Sequence, residues 1–182
     1  MWWFNLFIPE LTTRVVVKVN TNELDNAISV LKSDPILSDI PSLIDDLEDT
    51  KSRMDGLQEP LADAIAETLS SFQESIISSK HYKNGMMSNS VDISYDGDDR
   101  LVGNTASSVD GFPYPLAIEK GSRDHWIAPV TFSALHWTDG GGEHFSKGHM
   151  VSGITADPFV QPSIDDTMYA IDSIVDDLLG GL

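Results

Sequence analysis

Within the stretch FPYPLAIEKGSRDHWIAPV, residues 112–130, a carboxylate (Glu119), a cation (Lys120) and an imidazole (His125) fall inside seven positions. They flank the Gly121-Ser122 turn and are joined by Arg123 and Trp126. Grouped acids and bases of this kind are what proton transfer requires. The same residue types also form the polar corner of an assembly surface. Further along, His136, Glu143, His144 and His149 add three imidazoles and a carboxylate. With His125 they offer nitrogen and oxygen ligands of the type that fill a tetrahedral zinc site.

The spacings argue against each catalytic reading. No H-E-x-x-H is present, and the GGEHF stretch around Glu143 and His144 reads as loop, so the histidines are expected to hydrogen-bond locally. Serines abound, yet no G-x-S-x-G follows a strand. Glu119 and Asp124 have the residue types of a glycosidase pair, but nothing else suggests a sugar cleft, and acid pairs arise by chance in so acidic a chain. The Gly140-Gly141-Gly142 run lacks the Lys-Ser/Thr that would hold a nucleotide phosphate. No catalytic residue, cofactor or metal ligand is assigned.

Acidity is the dominant compositional signal: 29 acids face 11 bases, a formal net charge of -18, and residues 148–182 hold no Lys or Arg. Such a surface repels phosphate, which disfavours tight binding to duplex DNA or to an anionic membrane. It reads first as an ordinary solvated acidic surface; it also suits a high-salt milieu, where self-repulsion is screened within a few ångströms, or a passage through which DNA slides without sticking. The 182 residues suffice for one domain with a core, and the absence of cysteine excludes disulfides and thiolate metal sites. The opening MWWFNLFIPE has an apolar run too short to span a bilayer and no basic region before it. Its aromatics are expected to dock on this chain or a neighbour.

The elements that must position these residues follow from periodicity. Arg14 to Val19 is β-branched and reads as a strand. Asn20 and Glu23 form a capping pair for a short helix carrying Leu24, Ile28 and Leu31, closed by Pro35. Residues 35–56 read as an acidic helical insertion starting near Ser42. From Pro60 to Lys80, Leu61, Ala64, Ile65, Leu69, Phe72 and Ile76 fit the 3.6 period, with Pro60 in the first turn and Asn84-Gly85 as the stop. Val91, Ile93 and Tyr95 then alternate, Asp96-Gly97 signals a hairpin, and residues 100–105 return. Tyr114 to Lys120 is a short helix or strand, and 127–130 and 134–137 are further strands. Residues 139–153 read as a flexible glycine-rich loop. A final helix begins at Pro162, with Ile164, Met168, Ile171, Val175 and Leu178 on one stripe.

In order, these segments resemble the tail-completion, or head–tail joining, family of tailed bacteriophages and archaeal tailed viruses. Val15 to Leu24 is similar to that family's opening strand and short "x-L-x-x-L" helix. Asn84-Gly-Met-Met-Ser-Asn-Ser-Val91 is similar to its "T-G-x-L-x-x-S-I", and Tyr114 to Ser122 to its "Y-A-x-x-x-E-x-G-T". Ala156 to Ile164 is similar to "A-x-P-F-L-x-P-A-L", with Asn84, Ser122 and Ser163 as modest departures. The resemblance covers nearly the whole chain. It implies a single α+β domain: a small antiparallel β-sheet packed against a long α-helix, with short N-terminal helices and a C-terminal helix. It also implies a virion protein, assembled in the host cytoplasm, forming a ring at the neck. The ring is a homo-oligomer, expected to be a hexamer, between a head connector or stopper and a tail-tube or tail terminator protein, with DNA passing through unbound. The assembly-interface residues it implies are Glu119, Lys120, Gly121, Ser122, Arg123, His125, Trp126, Glu143, His144, Phe145 and Phe159, with Glu119 capping local N–H groups or pairing with an arginine. Two rival readings are an acidic DNA mimic that inhibits a basic host protein and a metal hydrolase using the histidine loop.

Overall fold

The structure, a computed structural model, describes residues 3–7, 14–20, 22–33, 41–80, 85–108, 113–129 and 132–180. Where the sequence reads as one domain, the chain divides into two compact units: Met1–Ala106 with Phe159–Leu182, and Ser107–Pro158 between them.

The first unit has the expected α+β architecture. Its antiparallel sheet runs in the order β1-β2-β4-β3, with β1 at Trp3–Phe7, β2 at Val15–Asn20, β3 at Val91–Asp96 and β4 at Asp99–Asn104. The opening apolar run is therefore an edge strand, paired from Trp3 opposite Asn20 to Phe7 opposite Val16. Asp96 pairs with Asp99, so the hairpin turn is Gly97-Asp98, one residue beyond the expected dipeptide.

Two helices flank the β2 and β3 strands in sequence. Helix α1 spans Asn22–Ser33, and the Asn20 side chain accepts the Asn22 N–H at 2.8 Å, half of the expected capping pair. The expected insertion and the long helix prove to be one element, α2, from Pro41 to Ser79 with Pro60 inside it. Proline lacks the N–H that would bond residue 56 and normally interrupts a helix. The acidic first half packs beside α1, with Lys32–Glu48 and Lys51–Asp25 ion pairs between the two helices. Its second half turns Leu61, Ile65, Leu69 and Ile77 onto Val15 and Val17 of β2 and Val102 of β4, all fully or almost fully buried. The expected helix stop at residues 81–84 and the Pro35 break lie outside the described residues.

Helix α4, Val160–Gly180, packs against α2 and starts two residues before the expected Pro162, which occupies its first turn, where no N–H is needed. Buried hydroxyls on it are satisfied along the helix: Ser163 donates to the Val160 carbonyl and Thr167 to that of Ser163, each at 2.7 Å. Gln73 of α2 is fully buried, and neither end of its amide has a partner among the described residues.

The second unit is smaller. Helix α3, Tyr114–Lys120, resolves the helix-or-strand alternative. Strand β5, His125–Ile127, pairs antiparallel with β8, His149–Val151, and β6, Leu135–Asp139, with β7, Gly142–Ser146. Residues 139–153, expected to be a flexible loop, thus contain two strands. Gly140-Gly141 is a two-residue hairpin turn, since Asp139 pairs with Gly142. The strand expected at 127–130 lies earlier, with Ala128 and Pro129 irregular and Val130 outside the described residues.

Candidate assembly surface

The Glu119–Asp124 segment is occupied by structure. Chain 118–124 lies along 153–157: Asp157 N–H donates to the Ile118 carbonyl at 2.8 Å and Ser122 N–H to that of Ile154 at 2.9 Å. Side chains complete the seam, because Ser122 Oγ accepts the Ile154 N–H at 3.1 Å and Asp124 Oδ1 accepts the Gly153 N–H at 2.7 Å. Gly121 makes the turn possible. Its φ of 74° is one that side chains rarely adopt, and a Cβ there would lie 2.8 Å from the Ile154 carbonyl oxygen. Ser122 and Asp124 therefore act as backbone acceptors holding two irregular segments together, and the Glu119–Asp124 pair is not an open pair of carboxylates. Glu119 is half-buried on α3.

The histidines are similarly placed. His125 Nδ1 lies 3.1 Å from the Arg123 carbonyl, which it reaches as a donor. In the β6–β7 hairpin the two faces differ. One carries Trp137, stacked on His144 at 5.3 Å between ring centres and tilted against His149 at 4.9 Å. His144 Nε2 is 2.9 Å from Asp139 Oδ1, which also accepts the Gly141 N–H at 2.7 Å. Those two contacts, the backbone one foremost, hold the Asp139 carboxyl below the usual carboxylate range. The other face stacks His136 on Phe145 at 4.6 Å, with Glu143 4.0 Å from His136 Nε2. No group of three or more metal-ligating side chains converges among the described residues.

Of the residues the sequence singled out, the second unit gathers all but Phe159. That residue is completely buried in the first unit, beside Val160 at the start of α4. It is a core residue of this chain and unavailable as a contact surface, a correction with a simple cause: A-x-P-F places its ring at a helix start where the apolar face turns inward. The rest offer exposed side chains of mixed character, chiefly Lys120, Arg123, His125, Trp126, Glu143 and Phe145.

Arg100, in contrast, carried no signal in the sequence. Only 3% of its side chain is exposed, on β4 under α2. Nε meets Asp63 at 2.5 Å, Nη2 meets Glu59 at 3.3 Å, Nη1 donates to the Asp98 carbonyl at 3.1 Å, and the guanidinium carbon sits 4.8 Å from the Tyr95 ring centre. The Asp63 hydrogen bond, outweighing burial, raises its already high pKa. A cleft of about 220 Å³, lined by Asp55, Gln58, Glu59 and Asp98 among others, opens beside it. Of its polar lining, Arg100 and Glu59 are paired with each other and Asp55 with Lys51. The arrangement holds a buried charge between β4 and α2.

Among the described residues no helix is long and apolar enough to cross a membrane. No protein-family model, curated protein or solved structure matches this chain. What the fold and surface define is an α+β protein with a long helix over an antiparallel sheet and a small aromatic-rich second unit.

Proposed function

We propose that this chain is a non-enzymatic structural protein of a tailed virus, forming a ring at the neck between head connector and tail tube. The observation that carries the reading is the seam between 118–124 and 153–157. The two segments similar to the family's "E-x-G-T" and "A-x-P-F" motifs are joined there by Ser122, Asp124 and their backbone partners. Two of the residues beside the apparent catalytic cluster, Ser122 and Asp124, are engaged with backbone groups, which supports the structural reading. The α+β architecture with its crossing helix and terminal helix supports the same reading.

Deleting the gene from the virus that carries it is expected to leave DNA-filled heads and separate tails in electron micrographs, with the protein present in wild-type virions by mass spectrometry. Intact, infectious particles lacking the protein would overturn the proposal. The five aspartates of α4 favour a second reading, an acidic inhibitor of a basic host protein. It requires a stable monomer or dimer whose capture of the basic partner is abolished by salt.

A further inference from the structure

Two surfaces of this chain are incomplete in complementary ways. On the β5–β8 ribbon, Trp126 and Met150 are register partners on one face, 62% and 61% exposed. The Trp126 ring lies against the backbone of Gly148, where a Cβ would come within 2.7 Å of it. Lys147 stands beside that contact. The second unit has three bases in its described residues, Lys120, Arg123 and Lys147, all exposed, and none has an ion pair there. In the first unit Lys18, Lys32, Lys51 and Arg100 each have one. Arg53 of the first unit also has no ion pair among the described residues, but it stands alone on α2, whereas Arg123 and Lys147 flank the exposed Trp126–Met150 pair.

The opposite imbalance lies on α4. At 3.6 residues per turn, Asp165, Met168, Tyr169, Asp172, Asp176 and Leu179 share about 100° of arc, centred about 120° round the helix from the buried Ile164, Thr167 and Ile171. Tyr169 is 88% exposed. None of the α4 aspartates has a cation among the described residues. An apolar strip edged by carboxylates is the counterpart of an apolar pair edged by ammonium and guanidinium groups.

The geometry points to a head-to-tail contact between copies of this chain: Trp126 and Met150 of one copy seat on the Met168–Tyr169 strip of the next. Lys147 and Arg123 then meet Asp165, Asp172 and Asp176. A second copy is the occupant because both halves of the match are carried by one sequence. The patches differ, so the contact is heterologous and propagates, giving a closed ring where the rotation per copy closes and a filament where it does not. The inference deepens the neck-ring reading and rests on it for where the assembly sits.

Sedimentation velocity of the full chain in dilute buffer tests it. The wild type is expected to associate. Y169E is expected to weaken association about tenfold to a hundredfold, as loss of an aromatic interface anchor does. W126A should do the same, and the R123E/K147E double variant, which leaves the ribbon packing intact, guards against a folding defect in W126A. Mixing Y169E with R123E/K147E should yield a 1:1 dimer and nothing larger, since each retains one good half. A monomeric wild type, folded variants that assemble like the wild type, or a mixture that stays monomeric would each overturn the contact. Virion composition separates this from the broader reading: variants that assemble normally remove the contact and leave the neck assignment standing. A 1:1 complementation by a protein absent from virions does the reverse.

Discussion

Arg100 gives the sharpest test of how charge is used in this fold, because its partners are so unequally buried. Its side chain is 3% exposed, whereas those of Asp63 and Glu59 are 40% and 82% exposed. Arginine does not shed its proton inside proteins, so a guanidinium that loses its partner stays charged. Removing Asp63 leaves that buried charge with the Asp98 carbonyl, the Tyr95 ring and a solvated Glu59. Breaking a buried pair costs about 3–5 kcal/mol, and the surviving contacts place D63A near the lower end. Removing Arg100 instead orphans only carboxylates that water already reaches. R100M, which fills the space, is therefore expected within about 1 kcal/mol of wild type, since exchanging an ion pair for apolar volume is often neutral. E59Q should cost about 0–1 kcal/mol, as an exposed partner does. Urea denaturation of the two single variants and the R100M/D63A double variant gives the full cycle. D63A in the R100M background should be nearly silent, a coupling of about 2–3 kcal/mol. R100M proving more damaging than D63A would refute the reasoning, as would two costs that simply add.

Other expectations follow from single observations. Gln73 is fully buried with both amide atoms unpartnered among the described residues. Q73M should therefore stabilise by about 1–3 kcal/mol, seen as a higher melting temperature; a lower one would mean that the amide is satisfied in solution. The Asp139 carboxyl is held down chiefly by the Gly141 N–H. A depressed folded-state pKa contributes stability above the ordinary carboxylate range, about pH 4, and that contribution is lost as pH falls through the lower folded value. The Gly141 amide shift should move in that acidic window, and D139N should abolish the movement; a D139N titration that still tracks wild type would disprove the assignment. With a net charge of -18 the chain repels itself, and that repulsion is screened to about 3 Å in 1 M salt. Melting should rise between dilute buffer and molar KCl, and equal melting points would show that the acidity does not burden the fold.

Elements with one clean period were legible, and elements requiring two local rules to be read at once were not. The apolar spacing of the second half of α2 and of α4, and the alternation of β3, each fix an element, although Tyr95 of β3 and Met168 of the expected α4 stripe prove exposed. Strand β1 escaped because WFNLF does not alternate; it is recognised only through its pairing with β2. Pro60 read as a boundary because local chemistry makes it one, whereas the contacts with α1 beside the first half of the helix are tertiary. In TDGGGEHFS three glycines concealed a two-residue turn. The signal that could have found it was Asp139, whose side chain caps Gly141, followed by Glu143, His144 and Phe145 alternating between two faces. Of the candidate surface, Trp126 and Arg123 were visible as residue types, and Lys147 was not singled out. That Arg123 and Lys147 have no ion pair among the described residues became visible only with coordinates, as did the engagement of Arg100.

The residues with the most chemical potential are the ones this fold has committed elsewhere. Asp124 and Ser122 accept backbone N–H groups, Asp139 fixes a turn, His144 braces it, and Arg100 is held by two acids, a carbonyl and a ring. An acid or base that spends its lone pairs or protons on the scaffold is poorly placed to exchange them with a substrate. What stays unsatisfied among the described residues is of another kind: the Trp126–Met150 pair facing solvent, Arg123 and Lys147 beside it without anions, and a helix face of anions without cations. Deficits of that type are met by area and charge supplied from outside, which a macromolecular surface provides and a small substrate does not. That distribution is what the proposed structural role draws on, and it directs the tests of that proposal to the protein's boundaries.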